Sequence, residues 1–169
     1  EVYKIAAESP AEVIWGPDNV TGLITSPKFF KDYSLKFYNE VADIFHKHDK
    51  IYVVHMDGEL KCLADLIAET RIDAIESFTP PPVGDLTIKE AKEKWKDKVI
   101  WSNFPEPGCL QGQREVKKTT QKMLKEAAPG NNFILGISEG FPSFMHMLSS
   151  VPNILKTVRK FGKYPIAEE

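Results

Sequence analysis

Apolar runs of one kind recur along this chain: "IYVVHM" (51–56), "AIESF" (74–78), "KVIWSNF" (98–104) and "FILGIS" (133–138), with a shorter "EVIW" at 12–15. None of them alternates apolar and polar residues along its whole length. Strands of that kind are buried on both faces, as in a parallel sheet. Parallel neighbours need a long crossover between them, and a helix is the usual one. Helical patterns fill the intervals here, so the strict strand-then-helix rhythm predicts an α/β fold. A doubly wound sheet and a (β/α)8 TIM barrel share this rhythm. The five units of the chain are too few to close a standard barrel of eight strands.

The helices are read from period and punctuation. Residues 1–9 end a helix stopped by Pro10. The stretch 26–50 is mostly helical, opened by Ser26-Pro27 and striped by Phe37, Val41, Ile44 and Phe45. Leu60, Leu63, Leu66 and Ile67 mark a helix after the second strand. Further helices are expected at 87–97, at 114–128 before Pro129-Gly130, and at 153–163. No linker, repeat or low-complexity segment divides the chain, which reads as a single domain over residues 1–169.

Charge and composition narrow the partners. A net charge of −2 gives no electrostatic case for nucleic acid or an anionic membrane surface. No apolar run approaches the roughly 20 residues that span a bilayer. No signal peptide is visible, and Cys62 and Cys109 form no disulfide framework, so a cytoplasmic protein is expected. A start at Glu1 is read as the mark of a piece of a longer protein.

Active sites of parallel α/β folds lie at the C-terminal ends of the strands. Those ends carry Asp18 and Asn19, His55 and Asp57, Glu76 and Ser77, Ser102 and Asn103, and Ser138 and Glu139. Five polar strand ends facing one pocket say more than any single motif. His55 and Asp57 project the same way if the strand continues, so both reach one ion, either zinc or a harder divalent metal. A lone capping histidine is the plain alternative. Glu76 is costly inside an apolar strand unless paired or bound; Arg71 is its plain partner. Ser138-Glu139 reads equally as a helix cap, Asp85 as a cap, and Asp18-Asn19 as a turn. His46, His48 and the lysine-rich helices read as solvated, Met145-His146-Met147 as packing, and Cys62 as facing an apolar helix side. Trp15, Trp101, Phe78 and Phe104 either wall the pocket or belong to the core.

The stretch from "SPKFFKDYSLKFYNE" through "IYVVHMDGELKCL" to "AIESFTPPPVGDLTIKEAKEKW", with "KVIWSNFP" and "FILGISEGFPS", resembles the C-terminal part of the uroporphyrinogen decarboxylase superfamily. The resemblance runs over about residues 10–166, and its most specific part is the His-x-x-Gly strand end with the acidic strand after it. It implies a (β/α)8 TIM barrel of which this chain holds about the last five βα units.

It also implies chemistry. One branch decarboxylates the acetate arms of a tetrapyrrole without a cofactor. The other moves methyl groups between a corrinoid protein and a thiol or folate, with a zinc held by His-x-Cys and a later Cys. By position, His55 matches the motif histidine, Asp57 stands where the first Cys would be, Glu76 matches the strand-end Glu, and Ser138 or Glu139 falls near the last Cys.

The expected function is a methyltransferase-like enzyme with a metal-activated nucleophile. Its metal set is His55, Asp57, Glu76 and Glu139, with Glu76 and Asp57 catalytic. Its substrate contacts are Asp18, Asn19, Ser102, Asn103 and Ser138. Zinc or another divalent ion is the expected cofactor, and cobalamin arrives on a partner corrinoid protein. Open sheet edges suggest a homo-oligomer. A uroporphyrinogen decarboxylase-like carboxy-lyase and a non-catalytic ligand-binding subunit are the alternatives.

Overall fold

A computed structural model of the chain describes residues 1–137 and 141–167. Five parallel strands form one sheet: β1 (Val13–Val20), β2 (Ile51–Met56), β3 (Ala74–Phe78), β4 (Val99–Phe104) and β5 (Phe133–Ile137). Their spatial order is their chain order, and every neighbouring pair is parallel. Each crossover therefore steps one strand onward in the same direction. A doubly wound sheet reverses direction at a switch point; this sheet does not, and its topology is that of a partial TIM barrel.

The helices are α1 (Val2–Ala7), α2 (Pro27–Phe29), α3 (Leu35–His46), α4 (Ala64–Ala68), α5 (Ile88–Lys94), α6 (Gln113–Ala127) and α7 (Phe144–Phe161). Ser26 caps α2 through its hydroxyl on the Phe29 amide, with Pro27 at the first helical position, and a π-helical turn over Phe30–Ser34 joins α2 to α3. Thr87 and Glu90 form a capping box at the start of α5. Asp85 caps something else: its carboxylate accepts from the Leu60 and Lys61 amides at 2.8 and 3.0 Å, tying the loop after β3 to the loop after β2.

Two boundaries differ from the sequence reading. β1 runs on through Gly16-Pro17-Asp18-Asn19, because Val20 still pairs with Met56 and its carbonyl takes the Asp57 amide at 3.1 Å. A register shift between Gly16 and Val20 accommodates those turn-forming residues. The last helix starts at Phe144 instead of Asn153, capped by the Ser143 hydroxyl, and Pro152 lies inside it. Proline removes the amide that would bond the Leu148 carbonyl, and Leu148 lies on an exposed part of the helix.

The core is one cluster on one face of the sheet. Tyr52, Val54, Met56, Ile75, Ile100, Phe104 and Phe133 meet residues of the covering helices there, among them Phe45, Ile67, Ile88, Val116 and Ile154. Val53 and Ala74 are buried but stand outside this cluster, on the other face. That second face also carries Trp15, His55, Glu76, Trp101 and Ile134 by strand alternation and register. In a closed barrel this is the interior.

The far end of the sheet, at the strand N-termini, is pinned by polar bonds. Fully buried Lys98 donates to the Thr70 carbonyl at 2.8 Å and pairs with Asp97 at 3.1 Å. Arg71 binds Asp43 at 2.8 Å and the Asn39 carbonyl at 3.2 Å. His46, read as solvated, is bonded through Nε2 to Asp73 at 2.9 Å, and Asp73 also accepts the Tyr52 amide at 2.7 Å. Groups at this end of such a fold serve stability. No helix among the described residues is long and apolar enough to cross a membrane.

Candidate functional site

The C-terminal ends of β2, β3 and β4 deliver His55, Asp57, Glu76, Ser77 and Asn103 into one cleft of about 420 Å³, walled by Trp15, Trp101, Gly136 and Ile137. Register explains the convergence. His55 and Glu76 are paired positions on neighbouring parallel strands, so their side chains leave the sheet side by side.

Glu76 Oε2 accepts two hydrogen bonds, from the Trp15 indole Nε1–H at 3.1 Å and from His55 Nδ1 at 2.8 Å. A carboxylate accepts and does not donate, so this bond puts the imidazole proton on Nδ1. Nε2 takes no part in that bond. The two side chains are 26% and 19% exposed, shielded enough for the pair to hold its geometry and open enough to meet a ligand. Trp15 stands edge-on to the His55 ring, with centroids 6.1 Å apart.

Ser77 follows Glu76 directly, and strict alternation would send it to the helix side. A register shift between Ile75 and Phe78, with Ser77 at φ 66°, turns it into the cleft as well. There its hydroxyl accepts from Asn103 Nδ2 at 2.8 Å. Gly136 completes the wall: a Cβ at that position would come within 2.8 Å of both Asn103 Oδ1 and Trp101 Nε1. A glycine inside the strand "FILGIS" is the signal for such close approach.

The expected site residues divide accordingly. His55, Asp57, Glu76 and Asn103 line the cleft. Ser138 and Glu139 lie outside the described residues. Ser102 is a correction: fully buried, it alternates with Trp101 and Asn103 and so faces the helices with Phe104. Asp18 and Asn19 are a second correction, since neither lines the cleft. Asp18 instead accepts from the Tyr38 hydroxyl at 3.2 Å, on the helix side of β1. Arg71 is not the partner of Glu76; it sits at the other end of the sheet with Asp43. Of the aromatic residues, Trp15 and Trp101 wall the cleft and Phe78 and Phe104 belong to the core.

The tyrosine pair beside Asp18 has a measurable consequence. Burial, and then the Asp18 charge, push the Tyr38 and Tyr52 hydroxyls far above the ordinary tyrosine range. The unfolded chain therefore loses these protons first as pH rises. Their stabilisation is complete below the unfolded pKa of about 10 and declines above it, by up to about 1.4 kcal/mol per pH unit for each group. Urea titrations above pH 10 should show a steep fall for the parent chain and a shallower one for Tyr52→Phe. The Tyr52 hydroxyl is buried without a hydrogen-bond partner, so this substitution should cost nothing at neutral pH. Equal alkaline slopes in the two proteins would show that the hydroxyl is not buried.

Of the expected metal set, His55, Asp57 and Glu76 line the cleft and Glu139 lies outside the described residues. Among the described residues no three His, Cys, Asp or Glu side chains come close enough to hold one ion. Glu76 is turned onto the His55 ring, where a carboxylate orients a histidine instead of ligating beside it. The thiols are elsewhere: Cys62 is exposed rather than packed on an apolar helix side, Cys109 is buried, and neither lines the cleft. A thiolate-bound zinc does not fit these residues.

Compared by sequence with curated proteins, the chain has no match. Residues 1–161 match the family model described as Uroporphyrinogen decarboxylase (URO-D), and the chain belongs to that family, within the uroporphyrinogen decarboxylase and methyltransferase superfamily.

Proposed function

We propose that the chain carries the strand-end rim of an enzyme that transfers a methyl group to or from a corrinoid protein, with His55 as the base and Glu76 as the residue that orients it. The observation that carries this reading is the 2.8 Å bond between Glu76 Oε2 and His55 Nδ1, which frees Nε2 to exchange a proton inside the cleft. As the acceptor's nucleophilic atom attacks the methyl carbon, His55 Nε2 takes the acceptor's proton. The bond from the methyl carbon to its donor breaks, and both electrons stay with the donor. Positioned proton transfer of this kind contributes about 10²–10⁴-fold in rate.

The decarboxylase reading needs cations to hold the acid arms of its substrate. Among the described residues no Lys or Arg lines the cleft, while Asp57 and Glu76 do. That lining counts against the decarboxylase reading.

The test is demethylation of methylcobalamin in the presence of a thiol, followed by the cobalamin absorbance. The parent chain should catalyse it, and His55→Ala should bring it to background. Release of carbon dioxide from uroporphyrinogen, with methylcobalamin left intact, would overturn the proposal in favour of the carboxy-lyase.

A further inference from the structure

The cleft has a composition that the reaction alone does not require. Two tryptophans, Trp15 and Trp101, line it together with two carboxylates, Asp57 and Glu76; no Lys or Arg among the described residues shares the lining, and its imidazole, His55, is bonded to Glu76. Trp15 is 53% exposed although it is anchored through Nε1 to Glu76, so the bond fixes the ring while its surface stays open. Trp101 is half-buried beside Gly136, whose missing side chain leaves room for the ring. Aromatic faces next to carboxylates attract a cation through ring quadrupole and charge together, and quaternary ammonium groups are bound in this way.

The hydrogen-bond inventory sharpens the class of ligand. Glu76 Oε2 already accepts twice, and the Ser77 hydroxyl already accepts from Asn103. A primary ammonium, with three N–H donors to satisfy, would find part of the acceptor set occupied. A fully methylated nitrogen has no donors and needs only the rings and the charge. An anionic ligand would face both carboxylates, with His55 already engaged by one of them.

We infer that this cleft binds a methylated, quaternary ammonium compound. The binding stands apart from the methyl-transfer reading, whose acceptor carries a proton and is a different molecule.

The experiment is a titration of the purified chain, followed by tryptophan fluorescence and calorimetry, with choline, with its neutral isostere 3,3-dimethylbutan-1-ol, and with malonate. Choline should bind about tenfold more tightly than the neutral isostere, and malonate should not bind. Trp101→Leu and Glu76→Gln should each weaken choline about tenfold while leaving the circular dichroism spectrum unchanged. The comparison of the three ligands needs no variant, so a variant that fails to fold does not remove the test. Equal binding of choline and the isostere, or tighter binding of malonate, overturns the inference. Choline binding without any demethylation of methylcobalamin supports this inference and sinks the proposed reaction; demethylation without choline binding does the reverse.

Discussion

Trp95→Ala is expected to lower the free energy of unfolding by about 3–5 kcal/mol, the largest stability loss of any single substitution considered. Trp95 is 1% exposed and heads the largest fully buried side chains. It follows α5 directly and reaches across to α4, where its indole Nε1 donates to the Ala64 carbonyl at 2.9 Å. Its ring meets Phe78, at the end of β3, edge-on at 6.0 Å. Truncation therefore opens a cavity under three elements and removes a buried hydrogen bond. Trp95→Phe separates the two effects: it keeps most of the apolar contact and loses the hydrogen bond, which should cost about 0.5–1.5 kcal/mol. Urea unfolding monitored by circular dichroism reads both. For a domain of this size the alanine variant should melt about 10 °C lower. A loss below about 1 kcal/mol for Trp95→Ala would mean that this part of the core collapses onto the gap, against the close packing typical of protein interiors.

The fold was legible because its signal is repeated. Each apolar run had only to be a buried strand, and the helical intervals then forced parallel neighbours. What resisted reading was local punctuation overruled by pairing. Gly16-Pro17-Asp18-Asn19 looks like a turn in isolation, yet Val20 is held to Met56 and so draws the whole segment into β1. Pro152 looks like a stop, yet Ser143 caps a helix that runs through it.

The site shows a different limit. Knowing that a residue lies at a strand end does not say which way its side chain points. Ser102 and Asn103 are adjacent, so only one of them faces the cleft, and parity with Trp101 selects Asn103. The same parity rule applied to Glu76 and Ser77 fails, because the left-handed backbone at Ser77 lets two consecutive residues face inward. Nothing in the letters "AIESF" announces that shift. The His55–Glu76 meeting, by contrast, follows from alternation once the two strands are neighbours in register.

Glu76→Gln should lower the rate of the proposed methyl transfer by about 10²-fold or more, while changing stability by less than about 1 kcal/mol. Glutamine has nearly the same shape, and its carbonyl can still accept from either Trp15 or His55. It cannot offer the charge that stabilises the imidazolium formed when Nε2 takes a proton. Where a carboxylate orients a catalytic histidine, neutralising it removes both that stabilisation and the fixed tautomer, at a cost of up to about 10⁴-fold. Glu76 thus acts through His55, and its role can be read without the reaction. The His55 Nδ1 proton, held against a carboxylate at 2.8 Å, should give a far-downfield proton resonance in the parent chain, and Glu76→Gln should abolish it. A purely structural carboxylate predicts something else: lost stability, with activity falling only in proportion to the unfolded fraction. Full activity in a folded Glu76→Gln protein would show that His55 needs no oriented partner, and the proposed division of labour between the two side chains would fall.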